Sequence, residues 1–527
     1  MHQAELITLL LMAVVALVLI AQKFSIPYPV FLVLSGLGLS FIPGLPVVKL
    51  NPELVFYFFL PALLYPVALT TSWRDFRRNL RNILLLAIGL VLITTFAVGW
   101  MAHAFVPGLP WAAAFALGAI VSPPDAVAAT AVVERLSVPR RIVAILEGES
   151  LVNDATALVA LQFAVAALLT GSFSPTAAAF EFIWVAGGGI GFGLLLGLAI
   201  RWVHRHLDDP LIQITISLLT PFAAYLPAER LHLSGVLSTG TVGIFLGWHS
   251  PLVVSARMRL QSQAFWEMVV FLLNGFVFIV IGLQLPSILQ SLSGVSFLHL
   301  AKEALAISGT VTLVRFAWVF PAAYIPRLFS KKIREREPFP SWRNVLIVAW
   351  SGMRGVVSLA AAFALPLAVN PTTPFPGRSY ILFLTFCVIL TTLVFQGLTM
   401  PILIRWLGVK DDGTTDEEER LARLEANKAA IETIERAALE FGISDEIVRR
   451  LRAEYADRIE QLRLCCGGAE GDRSGEIATF DYQKLQQRAL AEERRTIIRL
   501  RNEQTINDDA LRRIQRDLDL AEARLTG

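Results

Sequence analysis

The amino-acid sequence predicts an all-α, polytopic membrane protein with a helical tail at its carboxyl end. Hydrophobic residues make up 55% of its 527 residues and charged residues 17%, against about 45–50% and about 25% in soluble domains. Apolar stretches long enough to cross a bilayer recur over residues 1–408, and a charged segment of helical periodicity follows over 409–527. The sequence therefore predicts a transmembrane domain followed by an α-helical cytoplasmic domain.

Thirteen stretches of about 17–25 mostly apolar residues are candidate transmembrane helices. They lie near residues 6–22, 28–46, 54–72, 83–106, 110–133, 142–170, 181–202, 211–227, 231–249, 265–290, 302–325, 344–369 and 379–406. The first stretch lacks the positive region and cleavage site of a signal peptide, so we interpret it as a span. The boundary between the eighth and ninth spans carries the weakest stop signals, and an error there would invert every later span.

Positive charges between the spans predict the orientation. With the N-terminus outside, the gaps that face the cytoplasm hold twenty lysines and arginines, and the outer gaps hold four. Cytoplasmic loops are enriched in these residues. The sequence thus predicts a protein of the bacterial cytoplasmic membrane, in contact with lipid, whose C-terminus is cytoplasmic.

The composition of the tail differs from that of the membrane domain. Residues 1–410 hold 16 acidic and 26 basic residues, whereas residues 411–527 hold 27 acidic and 20 basic residues. Helical periodicity ends near Gly442, covers 445–464, and resumes over 477–503 and 508–525 after a break at CCGGAEGDRSG. A solvated bundle, a self-association module and a regulatory module all fit this pattern.

Four acidic residues lie on two neighbouring spans that are otherwise apolar. They are Asp125, Glu147, Glu149 and Asp154. An ionisable side chain inside a membrane is costly and usually marks an ion path. On the sixth span, Ser150 and Asp154 share one helix face by their spacing of four, and Glu149 and Asn153 share another. This helix therefore offers two polar edges.

Two prolines precede the acidic residue of the fifth span. Neither Pro123 nor Pro124 has a backbone N–H, and each disfavours helix in the residue before it, so the helix should open next to Asp125. Freed carbonyls beside carboxylates are oxygen ligands for a small, hard cation. The segment predicts a cation site. The alternative is that the acids pair with arginines and lock helices together.

Two arginines, Arg315 and Arg354, lie inside the eleventh and twelfth spans and should need carboxylate partners. Gly352 and Gly355 flank Arg354 and can open the twelfth span, although close helix packing also explains these glycines. Interrupted helices at matching places in two halves are typical of transporters built from inverted repeats.

The tenth span contains Glu267 near its start and Asn274 near its middle. We expect Glu267 to reach the membrane interface and Asn274 to make an interhelical hydrogen bond. Neither is assigned to the cation site. The three cysteines have neither the spacing of a zinc site nor that of a disulfide framework.

Four motifs resemble those of the monovalent cation:proton antiporter family of bacterial and eukaryotic sodium/proton exchangers. They are SPPDAVAAT, EGESLVNDATALV, TLVRF and SGMRGVVSLAAA, in this order and on these spans. The resemblance covers about residues 5–407, and within the family the sequence is most similar to bacterial members with a helical cytoplasmic tail. It implies a homodimer of thirteen-span protomers, each with a six-helix core in which two broken helices cross.

The resemblance also implies roles for single residues. Asp154 would bind the cation and the proton, and Asp125, Ser150 and the backbone around Pro124 would complete the ligands of Na+. Asn153 stands where electrogenic relatives have a second Asp, which implies electroneutral exchange. The remaining implied roles are structural: a Glu149–Arg315 ion pair, and Arg354 steadying the crossing helices.

Two departures from the family pattern affect the ion path. Pro124 stands where many relatives have Thr, and Pro66 stands where some members place a Glu on the third span. A carboxylate of that access path is therefore absent, which bears on ion selectivity and on the proton route.

The sequence predicts an antiporter of the cell membrane, active in pH homeostasis, that exchanges Na+, or Li+ or K+, for H+ by alternating access. No cofactor beyond the transported ions and no nucleic-acid partner is expected. The alternatives are a potassium/proton antiporter and a proton-coupled carrier of organic cations. An intramembrane aspartic protease would need a GxGD motif that the sequence lacks, and a receptor or scaffold acting through the tail would not need residues 1–410.

Overall fold

The computed structural model describes the chain except residues 1–2, 25, 43–50, 126–128, 131–137, 172–173, 208, 293–294, 371–372, 410–413, 465–488, 498, 501–502, 504–513, 516–517 and 519–527. The chain divides into two compact units, Met1–Asp411 and Asp412–Gly527.

The first unit is built from helices of very different lengths. In chain order these are α1 (Gln3–Lys23), α2 (Tyr28–Leu39), α3 (Pro52–Thr70), α4 (Trp73–Phe105), α5 (Trp111–Val121), α6 (Arg140–Thr170), α7 (Pro175–His204), α8 (Pro210–Arg230), α9 (Gly235–Val253), α10 (Ala256–Leu283), α11 (Phe297–Phe329), α12 (Trp342–Trp350), α13 (Val356–Phe363) and α14 (Arg378–Leu407). Short helices lie at Leu285–Gln290 and Lys331–Arg336, and the strands β1 (Ala368–Asn370) and β2 (Thr373–Pro374) pair antiparallel.

Eight helices in the described part of the chain are long and apolar enough to cross a membrane, and α1, α2 and α5 include shorter apolar stretches. The protein is therefore a multi-pass, all-α membrane protein, as the sequence predicts. The exact count of thirteen spans stays a prediction. Pro221 and Pro227 both lie inside α8, and α9 begins five residues after α8 ends, so the eighth and ninth predicted spans correspond to separate helices.

Two helices are interrupted where the sequence places its breaks. Helix α5 ends at Val121, and residues 122–125 are not helical, because Pro123 and Pro124 cannot continue its hydrogen bonding. Residues 351–355 separate α12 from α13. At both positions the backbone leaves the helix in a buried part of the protein.

The helices of the first unit pack in two groups. Helices α4, α5 and α6 pack with one another, α11 packs on α4 and α12, and α13 packs on α14. In the second group, α10 packs along α2 and α1, while α9 packs between α3 and α7. Contacts of α6 with α9 and of α10 with α13 join the groups, and the candidate site lies at this junction.

The second unit contains α15 (Thr414–Phe441) and α16 (Asp445–Leu464). Gly442 ends α15 in the left-handed conformation that favours glycine, at the stop that the sequence predicts. Arg452 on α16 and Glu435 on α15 form an exposed ion pair of 3.1 Å. The predicted break at CCGGAEGDRSG lies outside the described residues.

Candidate functional site

The site is centred on the crossing of the two interrupted helices. The backbone N–H of Asp125 donates to the carbonyl of Met353 at 2.7 Å, so the two breaks are joined directly. A Cβ on Gly355 would overlap the Asp125 carboxylate, which explains why a residue without a side chain stands there. Gly355 also precedes the first residue of α13, so Asp125 lies at the positive end of that helix dipole.

Arg354 also lies at the crossing, next to the C-terminal end of α5. The sequence predicts a carboxylate partner for it, but the structure instead places carbonyl oxygens around its guanidinium. Its Nε and Nη2 donate to Val121 and Ser122 at 3.0 and 3.4 Å, its Nη1 donates to Gly352, and no ion pair to it occurs among the described residues. These carbonyls lie where α5 has ended, at the negative end of its dipole, and a cation is favoured there.

Glu149 and Arg315 form a buried, bidentate ion pair. The Arg315 Nη atoms donate to the two Glu149 oxygens at 2.6 and 3.0 Å, and both side chains are 1% exposed. Arg315 also donates from Nε and Nη2 to the Val348 carbonyl at 3.3 and 3.0 Å, near the end of α12. The pair therefore ties α6 to α11 and α12.

A small cavity, here called the site cavity, lies on the other edge of α6. Its volume is about 40 Å³, and it is lined by Asp125, Ser150, Asp154, Asn274 and apolar side chains of α3, α6, α10 and α13. Asp154 is 5% exposed, and no ion pair to it occurs among the described residues. The three residues that the resemblance implies as Na+ ligands, Asp154, Asp125 and Ser150, thus share one space.

The two other predicted site residues hold the break in α5. Asn153 donates from Nδ2 to the carbonyl of Pro124 at 3.1 Å, and its Oδ1 has no hydrogen-bond partner in the described part of the chain. Both residues are buried, and neither lines the site cavity. Their positions support the shape of the break next to Asp125.

The donor set suits a hard monovalent cation. Carboxylate and hydroxyl oxygens are the ligands that such cations prefer, and a cavity of about 40 Å³ has room for a largely dehydrated ion with few waters. Clusters of three or more His, Cys, Asp and Glu residues, which transition metals would need, do not occur among the described residues. A carboxylate buried without an ion partner is also more stable when it binds a proton than when it is charged.

Three cavities lie along α3, at its start, its middle and its end. A cavity of about 900 Å³ touches its first residues, including Glu53 and Tyr57, and reaches Ala155 beside Asp154. A cavity of about 650 Å³ touches its last residues and shares Val67 with the site cavity. The site cavity touches the middle of the helix, so wide spaces approach the carboxylates from both ends of α3.

Sequence reasoning left Asn274 outside the site, although it lines the site cavity. The expected interhelical hydrogen bond is not made by its Nδ2, which is buried without a partner among the described residues. The signal that could have identified it is its position, because an amide in the middle of an apolar span itself suggests a polar function.

Comparison with known proteins gives a consistent result. The family model described as "Sodium/hydrogen exchanger, transmembrane" matches residues 9–406. An uncharacterized Na(+)/H(+) exchanger of Mycobacterium tuberculosis is 36% identical over 524 residues, which cover 98% of this chain and 95% of the relative. A sodium, potassium, lithium and rubidium/H(+) antiporter of Bacillus subtilis is 35% identical over 472 residues, covering 87% and 69%.

The fold is also similar to that of a solved structure. The sodium proton antiporter MjNhaP1 from Methanocaldococcus jannaschii, solved at pH 8, matches with a TM-score of 0.59 over 77% of this chain and 98% of that chain. At 22% sequence identity, the match supports a shared fold.

Proposed function

The chain belongs to the sodium/hydrogen exchanger family, which contains cation/proton antiporters rather than enzymes, and on that premise we propose that it exchanges Na+ for H+ at Asp154. The observation that carries the proposal is the burial of Asp154 beside Asp125 in a cavity too small for a hydrated ion. One carboxylate that can hold either a cation or a proton couples the two fluxes.

The arrangement of cavities supports alternating access. Wide cavities approach the site from the two ends of α3, and the small site cavity, lined by Leu60 and Leu64, lies between them. A shift of α6 and the crossing against α3 would open one route and close the other. The cation and the proton would then be released on opposite sides of the membrane.

The proposal includes electroneutral exchange in a homodimer of the bacterial cytoplasmic membrane, with the N-terminus outside and no cofactor. Asn153 is neutral, and the charge of Glu149 is held by Arg315. If Asp125 also keeps a fixed charge, Asp154 alone changes its bound ion. One positive charge then moves each way per cycle.

Two candidate cations besides Na+ deserve a direct comparison. The relative from Bacillus subtilis is named for transport of sodium, potassium, lithium and rubidium, so we include K+ and Li+ as substrates to be tested. A proton-coupled organic cation is the weaker candidate, because the site cavity of about 40 Å³ leaves room only for a small ion.

Dequenching of a pH-sensitive dye in proteoliposomes tests the proposal with Na+, Li+ and K+ in turn. We expect Na+ to dissipate an imposed pH difference, whereas liposomes carrying Asp154→Asn should not respond. Failure of every cation to move protons would contradict exchange.

A potassium–valinomycin potential then tests the stoichiometry in the same liposomes. Moving one net charge per cycle would couple exchange to voltage by about 2.3 kcal/mol per 100 mV. We expect the sodium gradient supported at a fixed pH difference to be independent of voltage. A voltage-dependent gradient would show that a second group, most directly Asp125, also exchanges its proton.

A further inference from the structure

We propose that Asn274 is a direct ligand of the transported cation and determines its selectivity. This inference rests on the proposed exchange and adds a residue that neither the motifs nor the comparisons assign. Asn274 is 3% exposed and lines the site cavity together with Asp125, Ser150 and Asp154. It is supplied by α10, whereas Ser150 and Asp154 are supplied by α6.

Asn274 lines the site cavity among apolar neighbours. Val277 and Phe278, one turn further along α10, line the same cavity and are apolar, so they offer the amide no side-chain hydrogen bond. The Nδ2 atom has no partner anywhere in the described part of the chain. A buried N–H donor without a partner destabilises a fold unless an acceptor reaches it. A carboxylate or a water in the site cavity would accept from the NH₂ group, and a cation there would bind the amide oxygen.

An amide suits both states of an exchanger. Its carbonyl oxygen can bind a cation, and after rotation about the terminal side-chain bond its NH₂ group can donate to a carboxylate. With the cation present, the oxygen would complete the set formed by Asp125, Ser150 and Asp154. Without the cation, the NH₂ group would donate to the carboxylates, so the same side chain serves the loaded and the empty site.

The location of Asn274 on α10 affects the cation selectivity of the site. Helix α10 packs on α1 and α2, and α6 packs on α4 and α5, so the site is complete only when the two helix groups are close. A small cation loses more hydration on entering such a site and depends more on each protein oxygen than a large cation does. Asn274 should therefore favour Li+ and Na+ over K+.

Cation-dependent thermal stabilisation of the purified full chain tests this without requiring transport, because a ligand that binds the folded state raises the unfolding temperature. We compare LiCl, NaCl and KCl, with choline chloride as the control for ionic strength. Asn274→Leu removes the amide at similar size, and Asn274→Asp retains an oxygen at the same reach. Gln284→Leu is the matched control, because Gln284 is a buried amide just after α10 that does not line the site cavity.

We expect Asn274→Leu to raise the half-saturating NaCl concentration about fivefold, the effect of losing one polar contact worth about 1 kcal/mol. The loss should be larger for Li+ than for K+, and Asn274→Asp and Gln284→Leu should respond to NaCl as the unaltered protein does or more strongly. An unchanged value in Asn274→Leu, an equal loss for all cations, or no stabilisation of the unaltered protein by Na+ would each overturn the inference. If Na+ stabilises the protein through Asn274 but liposomes show no exchange, the proposed function fails and the ligand role stands.

Discussion

The two polar edges of α6 have opposite environments although they lie within about one helical turn of each other. On one edge, both Glu149 oxygens accept from Arg315 at 2.6 and 3.0 Å. On the other edge, Asp154 faces a cavity of about 40 Å³ and has no ion pair among the described residues. Both carboxylates are buried, so burial alone does not separate them.

The partner of a buried acid decides its role in a membrane protein. A carboxylate whose oxygens are held by a guanidinium has no capacity left for a transported ion, and its contribution is structural. A carboxylate beside a cavity and a second acid retains that capacity. The alternative that acids only lock helices therefore fits Glu149, and the ion-path interpretation fits Asp154.

Loss of the Asp154 carboxylate should have the strongest effect on exchange. Asp154→Asn should abolish exchange while leaving the protein folded, since it removes the carboxylate that binds both ions and leaves a polar group of the same shape. Exchange in proteoliposomes and thermal unfolding in detergent check the two halves of this expectation. Glu147→Gln is the control, because Glu147 lies on the same helix outside the site cavity and accepts from Thr71. Near-normal turnover in Asp154→Asn would remove Asp154 from the site.

Variants of the Glu149 edge of α6 should lose stability. Glu149→Gln or Arg315→Met leaves a buried charge without its partner, which should reduce the free energy of unfolding by about 3–5 kcal/mol. Yield and thermal unfolding measure this loss. The charge-reversed double variant should recover part of it, since the pair is restored but the bonds from Arg315 to Val348 are not. The assignment is wrong if the double variant is no more stable than either single one.

A smaller effect is expected at the second acid of the site cavity. Asp125→Asn leaves one carboxylate instead of two near the cation, so the apparent Na+ affinity should fall about tenfold, equivalent to about 1.4 kcal/mol. The concentration of Na+ that gives half-maximal dequenching is the measurement. An unchanged value would show that Asp125 shapes the crossing without contacting the ion.

The smallest effect is expected from removing the tail. Truncation after Lys410 should leave a folded, dimeric exchanger, because the tail has its own polar composition and contributes no span. Size-exclusion chromatography and the proteoliposome assay check this, with attention to a shifted pH or ion response. A truncated protein that cannot be purified as a dimer would show that residues 411–527 are part of the structural core.

The sequence predicted the fold class, the break before Asp125 and the break at Arg354, because prolines and glycines act on the backbone within a few residues. It also predicted the separation of α8 from α9. The roles of the site residues stay predictions until exchange is measured. What local patterns could not predict are contacts between distant helices, such as the carbonyls of Val121 and Ser122 around Arg354.

A second example is the pattern of positive charge between the predicted spans. In the sequence, Arg81, Arg141 and Arg327 serve only to predict orientation. In the structure, the Nη2 atoms of all three lie close to Oε2 of Glu337, at 2.9, 3.5 and 2.8 Å. These residues come from three helices and a loop that are far apart in the sequence. Their convergence depends on packing, as does the placement of Asn274 in the site cavity.

The contact between Gly355 and Asp125 has a consequence for sequence variation. The Asp125 carboxylate fills the volume that any side chain at position 355 would need. The Asp125 N–H also donates to the carbonyl of Met353, which lies two residues before Gly355. The two positions thus constrain each other, although they are 230 positions apart in the sequence (355 minus 125) and the local sequence shows no link between the breaks. A larger residue at 355 becomes admissible only when the residue at 125 shrinks, so the acid can be replaced while the glycine stays, but the glycine cannot be replaced while the acid stays.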